Sequence, residues 1–332
     1  MLSNVGNGAG MKYLFHYIVI LGFIFLCPAL ANSQVIPQYT IQQYNDIVEQ
    51  LYKNPQTKST DVTTRVAIDS KFFLGKNYLQ GALGEGPNAE FDQSPLYRTD
   101  AFDCTTYVST VLALVEGKNL QQFKNNIKKI NYHDKKISYL TRNHFIEVDW
   151  NTKNQKNGYL IDITDSIGNH VAQIATAVID KPAWYRMKNA DSIKYLNLIS
   201  SDQTQSLLEK LHHFSFAMKN QTATISYLPL QKLFNADGTS NEKLFNQIPS
   251  GSVIEMIGPN WSLQPLIGTD LLVIHMGIVI RDSRGLMFRE ASSEKGKVIE
   301  LPLVDYLRSY LNKPFRVKGM NIQKIVCVHC SL

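Results

Sequence analysis

The chain has 332 residues, which is enough for one large domain or two small ones with a proper hydrophobic core. Its hydrophobic content of 44% and charged content of 19% exclude an intrinsically disordered chain. The net charge of +6 is a mild excess, and no lysine- or arginine-rich block is interleaved with aromatic residues, so nucleic-acid binding has no support.

The first predicted element is a targeting segment. Lys12 supplies a positively charged start, the apolar run YLFHYIVILGFIFL follows, and Ala29-Leu30-Ala31 has the small-x-small pattern of a cleavage signal. The apolar run is short for a membrane span, which needs about 20 residues. We therefore predict that residues 1–31 are a signal peptide and that no stable membrane insertion follows its removal. The mature protein is expected to be periplasmic or secreted.

Export changes the cysteine count. Cys27 leaves with the signal peptide, so Cys104, Cys327 and Cys330 remain. The last two have C-x-x-C spacing, and a disulfide between them suits an oxidising compartment. A metal site that includes His329 has little support, because no second ligand cluster exists. Cys104 is then a single thiol that needs an explanation.

The stretch AFDCTTYVSTVLALVEG predicts a helix that begins at Cys104. Apolar residues recur with helical spacing at Val108, Val111, Leu112 and Val115. Asp103 can act as N-cap, and Gly117 suits the position just after the helix end. At a helix N-terminus, the dipole and free N–H groups favour a thiolate and can hold a developing oxyanion. The alternative is a buried structural cysteine, which is the commoner role of a lone cysteine.

The long stretch that follows holds several further predicted elements. It contains the strand-like segments GYLIDIT and TATISYLPL, a helical segment from Ser201 to Met218, and LQKLFNADGTSNEKLF, which a turn at Asp237-Gly238 interrupts. No internal repeat or low-complexity linker is present. Residues 32–332 are therefore predicted to form a single decorated α+β domain.

His275 is the candidate base for the cysteine. It lies in LLVIHMGIVI, an apolar and β-branched run that predicts a buried strand, where both imidazole nitrogens need partners. The turn RDSRG and the strand LMFREASS follow. A hairpin with a four-residue loop, 281–284, places His275 directly opposite Glu290, whose carboxylate could orient the imidazole toward Cys104. An ordinary His–Glu cross-strand pair is the alternative, and a one-residue slip would destroy the pairing.

A cysteine at a helix start, a histidine on a strand and a polar orienting group on the next strand follow the papain-like order. FDCTTYV, IPSGSVIEM and HMGIVIRDSRGLMFREASS resemble motifs of NlpC-type cell-wall peptidases and amidases, with Ser252 where aspartate is usual and Glu290 in place of a second histidine. The closer resemblance is to an N-acetylmuramoyl-L-alanine amidase-like branch of that superfamily, formerly a domain of unknown function. That branch pairs the cysteine helix with a segment like TRNHFIEVDW and ends like VDYLRSYLNKPFRVKGMNIQKI.

This resemblance implies an α+β, papain-like (NlpC-type) fold in which the cysteine helix packs on an antiparallel sheet, with large insertions. The stretch between Cys104 and His275 is longer than such a core needs, and the resemblance implies that the extra chain in it is an insertion. Cys104 would be the nucleophile, His275 the general base and Glu290 the orienting group. The resemblance also implies a set of substrate-binding residues: Asp103, Tyr78, Arg142, His144, Asp149 and Trp150. Ordinary packing and surface pairing are the alternative for the last four. The implied chemistry requires no metal and no organic cofactor.

The implied function is cysteine-dependent cleavage of the amide between N-acetylmuramic acid and L-alanine in peptidoglycan or its fragments, the muropeptides. One alternative is a γ-D-glutamyl–diaminopimelate endopeptidase, because motifs around the nucleophile do not identify the bond. Another is a non-catalytic cell-wall binding protein, which the Glu290 departure favours. A zinc hydrolase has no H-E-x-x-H or comparable ligand cluster to support it.

Overall fold

The computed structural model describes residues 40–58, 61–133, 136–197, 199–259, 261–311 and 316–327. The predicted signal peptide lies outside these residues. The described chain belongs to one compact unit, Tyr39–Leu332. Within it, no helix combines the length and apolar character needed to cross a bilayer.

Helices cover both faces of a sheet. The α-helices of the described chain are α1 (Ile41–Lys53), α2 (Val62–Phe72), α3 (Cys104–Val115), α4 (Leu120–Asn131), α5 (Asn151–Lys156), α6 (Thr164–Gly168), α7 (Lys181–Arg186), α8 (Ser201–His213), α9 (Leu230–Leu233), α10 (Glu242–Phe245), α11 (Gln264–Ile267) and α12 (Leu303–Arg308). A π-helical turn, Ile146–Trp150, leads directly into α5. The predicted helical segment from Ser201 ends as an α-helix at His213 and continues as a 3-10 turn, Phe214–Ala217.

The strands form a mainly antiparallel sheet. They are β1 (Asn77–Tyr78), β2 (Ala101–Phe102), β3 (Leu160–Asp162), β4 (Gln173–Ile179), β5 (Gln221–Pro229), β6 (Ser252–Ile257), β7 (Val273–Asp282), β8 (Gly285–Ser292), β9 (Lys297–Pro302) and β10 (Gly319–Ile325). Their order in the described sheet is β2-β1-β9-β8-β7-β6-β10-β5-β4, with β3 added to β10. Only the β1–β2 pair is parallel among the strand pairs of the described chain. The predicted α+β class is confirmed.

Helix α3 forms the centre of the main core. Every residue from Tyr107 to Val115 is buried. The helix is therefore covered on all sides, whereas a surface helix buries only one apolar face. It packs against α1, α2 and α4 and against sheet residues that include Met276 and Ile278. Because α3 begins at Cys104, this packing fixes the position of the thiol relative to β7.

The C-terminal end of α3 is anchored by buried hydrogen bonds. Arg65 of α2 donates to the carbonyls of Leu114 (2.9 Å) and Gly117, and the Tyr52 hydroxyl also donates to Leu114 (3.1 Å). Gly117 follows the helix as predicted. A larger residue would not fit at this position, because a Cβ there would lie 2.4 Å from the Tyr52 hydroxyl oxygen.

The C-terminal cysteines can be described only in part. Cys327 is disulfide-bonded and buried beside the same helix end. Cys330, the partner that the C-x-x-C spacing suggests, lies outside the described residues. Cys104 is a free thiol.

Candidate active site

The N-terminus of α3 is held by the side chain of Asp103, the predicted N-cap. One carboxylate oxygen accepts from the Thr106 amide (2.8 Å). The other accepts from the amides of Gly81 (3.1 Å) and Ala82 (3.4 Å). Asp103 therefore fixes both the first helical turn and the loop after β1. Cys104, the next residue, is a half-buried thiol at the first helical position.

The β7–β8 hairpin differs from the predicted one. Asp282 pairs with Gly285, so the loop has two residues rather than four, and continuing the register places Glu290 opposite Gly277. The prediction that Glu290 lies directly opposite His275 is therefore wrong by two positions. A shift of two residues keeps both side chains on the same face of the sheet. They are diagonal neighbours, a separation that long side chains can bridge.

His275 and Glu290 are in direct contact despite this shift. Nε2 of His275 forms a short hydrogen bond with Oε2 of Glu290. This leaves Nδ1 as the ring nitrogen for Cys104. Burial alone would lower the pKa of His275, but hydrogen bonds to Cys104 and Glu290, with the negative charge of those groups, raise it to about 10. The imidazolium form is therefore favoured at neutral pH.

Three neighbours shape the environment of His275. The ring of Phe288 lies edge-on to the imidazole, with centroids 6.2 Å apart, and the ring of Tyr306 lies 6.5 Å away. A Cβ at Gly277 would come within 2.6 Å of the Phe288 ring. Glycine in the H-x-G motif therefore lets Phe288 pack against the imidazole. Burial and the nearby charge of Glu290 raise the pKa of Tyr306, so its hydroxyl stays protonated beside the pair.

Tyr78 lies beside the cysteine. It belongs to β1, where it pairs with Phe102 of β2, the strand that leads to Cys104. Burial raises the pKa of the Tyr78 phenol, and the negative charges of Cys104 and Asp103 add to this shift. The implied position of Tyr78 next to the nucleophile therefore agrees with its surroundings.

Arg142 is engaged within the protein. Nε donates to Glu85 (2.7 Å), and Nη2 donates to Asp92 (3.1 Å); all three side chains are buried or nearly so. The guanidinium also lies 5.1 Å from the centre of the Tyr139 ring. Its charge is balanced by two carboxylates, so its observed role is to hold the loop that contains Glu85 and Asp92.

His144 and Asp149 also bond to partners within the protein. His144 donates from Nε2 to the Tyr139 carbonyl (2.7 Å) and packs against the ring of Trp184. Burial and neighbouring cations lower the pKa of His144 well below its usual value, which keeps it neutral. Asp149 accepts from Nζ of Lys181 (2.5 Å). These contacts support the packing alternative for both residues.

Trp150 does not line a cleft. Its side chain is fully buried, and its indole N–H donates to the Ser109 hydroxyl of α3 (3.0 Å). The implied substrate-binding role of Trp150 is therefore replaced by a core contact that fixes α3 from the side.

Two residues near the site, Tyr306 and Lys194, carry no signal in the sequence. Tyr306 lies in α12, in the C-terminal segment of the resemblance, where no local pattern indicates contact with His275. Lys194 lies between α7 and α8, within the insertion that the resemblance implies, and its Nζ donates to the carbonyl of Gly81, next to the Asp103 cap. Within the described ranges, no group of three or more His, Cys, Asp or Glu is arranged to hold a metal ion.

A family profile matches most of the chain. Residues 68–312 match the sequence profile of a family described as AmiA-like, N-acetylmuramoyl-L-alanine amidase-like. The search of curated proteins finds no significant match.

Solved structures with similar folds include a protein from Legionella pneumophila str. Philadelphia 1. It is 41% identical, with a TM-score of 0.82 over 86% of this chain and 95% of that chain. An N-acetylmuramoyl-L-alanine amidase from Bacteroides uniformis is 23% identical, with a TM-score of 0.55 over 80% of this chain and 98% of that chain. A second structure under the same description is 24% identical, with a TM-score of 0.54 over 80% of this chain and 99% of that chain. At these lower identities the likeness concerns the fold.

Proposed function

Because the chain belongs to the N-acetylmuramoyl-L-alanine amidase-like family, we propose that it is a cysteine hydrolase acting on muropeptides. The bond cleaved is the amide between the lactyl group of N-acetylmuramic acid and L-alanine. The observation that carries this proposal is the hydrogen bond between His275 and Glu290, together with the Cys104 thiol at a helix N-terminus, which raises the pKa of His275.

The first half of the reaction forms an acyl-enzyme. The Cys104 proton moves to Nδ1 of His275, and the raised pKa of His275 favours the resulting thiolate–imidazolium pair. The sulfur attacks the lactyl carbonyl carbon, and the carbonyl electrons move onto oxygen. The backbone N–H of Cys104, at the positive end of α3, stabilises that oxyanion.

The second half releases both products. The imidazolium of His275 donates its proton to the nitrogen of L-alanine as the C–N bond breaks, which frees the stem peptide. Water then attacks the thioester carbonyl carbon, and neutral His275 accepts one of its protons. The C–S bond breaks, which returns the Cys104 thiolate beside the imidazolium, and the muramic carboxyl group departs and loses its remaining proton to solvent. Glu290 stays hydrogen-bonded to Nε2 throughout, keeps the ring oriented and stabilises its imidazolium form each time that form arises.

The Glu290 contact also bears on the binding-protein alternative. A carboxylate in place of the second histidine would suggest lost catalysis if it were turned away from the imidazole. It instead bonds the imidazole directly, which is the role that the orienting group has in a papain-like triad. A catalytic role is therefore the better supported proposal.

The location of the activity is part of this proposal. A signal peptide at residues 1–31 would export the chain, and muropeptides occur in the compartment that it would reach. The disulfide at Cys327 is compatible with an oxidising compartment.

Digestion of defined muropeptides, followed by mass spectrometry of the products, tests the proposal. Wild-type protein is expected to release a free peptide that begins with L-alanine, and Cys104→Ala is expected to release none. Cleavage inside the stem peptide would instead support the endopeptidase alternative. No Cys104-dependent product from any fragment would contradict the hydrolase proposal.

A further inference from the structure

Lys194 is a cation held near the N-terminus of the cysteine helix by backbone and side-chain contacts. Its amide donates to the Phe91 carbonyl (2.8 Å), and its carbonyl accepts from the Gln93 amide (2.7 Å), which fixes this part of the insertion. Its Nζ donates to the Gly81 carbonyl (3.0 Å). The Gly81 amide in turn donates to Asp103, the residue before Cys104. Two hydrogen bonds therefore connect this ammonium group to the N-cap of the nucleophile's helix.

The ammonium group of Lys194 retains hydrogen-bonding capacity. Its side chain is 38% exposed, and its nearest carboxylate, Asp92, lies at 3.7 Å, which is an ion-pair distance rather than a hydrogen bond. Asp92 already accepts from Arg142 at 3.1 Å and is 2% exposed. A lysine has three N–H donors, so the bond to Gly81 leaves donors that face solvent.

Nearby cations are committed to internal partners. Arg142 bonds Glu85 and Asp92 with a side chain that is 12% exposed. Lys181 bonds Asp149. Lys188 lies over the Trp184 ring, with its Nζ 3.1 Å from the centroid, and burial lowers its pKa to about 7. Among these lysine and arginine side chains, Lys194 is the one that combines exposure with fixed placement.

The chemistry of a muropeptide indicates what such a cation would meet. Once the lactyl carboxyl is part of the scissile amide, the N-acetylated sugars carry no charge, so the negative charges lie on the stem peptide. A D-glutamyl residue that is linked through its γ-carboxyl keeps its α-carboxylate free. That carboxylate lies two residues from the scissile carbonyl, at about 7 Å in an extended chain.

We propose that Lys194 binds the free α-carboxylate of the D-glutamyl residue in the stem peptide. The protein would then select muropeptides whose D-glutamate is unmodified over those in which this carboxylate is amidated. This inference rests on the proposed amidase function. It assigns a specificity role to the insertion, because Lys194 lies outside the segments that carry the catalytic group.

A matched pair of substrates tests the proposal. Two N-acetylmuramoyl tripeptides, γ-linked at the second residue, differ only in a carboxylate or a carboxamide on its α-carbon. Wild-type protein is expected to cleave the carboxylate form with about tenfold higher kcat/KM, mainly through KM. Lys194→Gln is expected to abolish this preference and to leave the carboxamide form within about twofold of wild type. The wild-type preference should also shrink as salt is added.

Two further variants separate charge from structure. Lys194→Arg keeps the charge and is expected to keep most of the preference. Lys53→Gln removes the same charge beside the far end of α3, about 18 Å along the helix, and is expected to change nothing. An equal loss on both substrates in Lys194→Gln would show that Lys194 only holds the Gly81 loop, and would overturn the inference.

The wild-type protein itself provides the remaining outcomes. Equal cleavage of the two tripeptides would overturn the role of Lys194 and leave the amidase proposal standing. Release of an L-alanyl peptide from neither substrate would overturn the proposed function, and this inference would fall with it.

Discussion

The two ends of helix α3 are built for opposite purposes. At the N-terminus, Asp103 joins the first turn to the Gly81 loop and leaves the Cys104 thiol half-buried beside His275. At the C-terminus, Arg65 and Tyr52 donate to carbonyls at the helix end from within the protein. One end carries the proposed nucleophile with part of its thiol exposed, and the other has its carbonyls bonded from within the protein.

The difference suggests a division between reactivity and stability along one helix. A nucleophile has to be placed accurately without being enclosed, so its helix must be fixed elsewhere. In this protein the fixed parts are the buried length of α3, its C-terminal anchor and the lateral contact with Trp150. Changes at the open end should therefore affect turnover, and changes at the anchored parts should affect unfolding.

The largest effect is expected at Cys104, the proposed nucleophile. Cys104→Ser should reduce turnover of muropeptides at least about 10⁴-fold, because a hydroxyl is a far weaker nucleophile in this arrangement. The free energy of unfolding should change by less than about 1 kcal/mol, since the side chain is half-buried and similar in size. Product assays and urea unfolding measure the two quantities. A serine variant within tenfold of wild type would remove Cys104 from the mechanism.

The next effect concerns the orienting carboxylate. Glu290→Gln should lower kcat by about 10³-fold, because the imidazolium loses its charged partner. The Glu290 carboxylate raises the pKa of His275, so its removal should move the alkaline limb of the kcat/KM profile from near pH 10 toward lower pH. Glu294→Gln, which removes an exposed carboxylate of the following turn, is the matched control. An unmoved alkaline limb would mean that Glu290 does not set the charge of His275.

A substitution that removes the anchor at the C-terminal end of α3 should lower the free energy of unfolding. Arg65→Met removes the donor for two buried carbonyls and the cation that lowers the pKa of Asp69, which burial raises to about 7. We expect a loss of about 3 kcal/mol in the free energy of unfolding. Below the unfolding transition, the pH profile of the remaining activity should match wild type. Arg308→Met, on the exposed surface of α12, should cost less than about 1 kcal/mol. Equal losses of stability in the two variants would mean that Arg65 does not anchor the C-terminal end of α3.

The smallest effect is expected at Trp150. Trp150→Phe removes the indole donor to the Ser109 hydroxyl and leaves a small cavity, at a cost of about 1–2 kcal/mol. KM for muropeptides should stay within about twofold, because the side chain has no exposed surface. A large rise in KM without loss of stability would restore Trp150 to the substrate cleft.

Local sequence patterns were sufficient for the helix but not for the hairpin. The Asp103 cap, the start at Cys104 and the close of the helix before Gly117 depend on neighbouring residues, and all three agree with the structure. The turn RDSRG was less informative. Arg281 and Asp282 are exposed and polar, as in a loop, yet they continue the β7 ladder. A polar strand end and a loop look alike in sequence.

The roles of the remaining candidate residues depend on contacts with residues far away in the chain. The segment TRNHFIEVDW carries polar and aromatic groups that suit a cleft as well as a core. Arg142 is balanced by Glu85 and Asp92, each at least 50 positions away in the chain. The indole N–H of Trp150 likewise finds its partner in Ser109, which lies in another helix. Such pairings are set by the tertiary fold, so no local pattern could separate the two roles.

The most direct test is to trap the covalent intermediate. Wild-type protein would be mixed with a defined muropeptide and quenched in acid within the first turnover, and the intact protein and its Cys104 peptide would be weighed by mass spectrometry. We expect an adduct with the mass of the N-acetylmuramoyl acyl group on Cys104. An adduct carrying stem-peptide residues would assign a different bond, and product formation without any adduct would contradict the role of Cys104 as nucleophile.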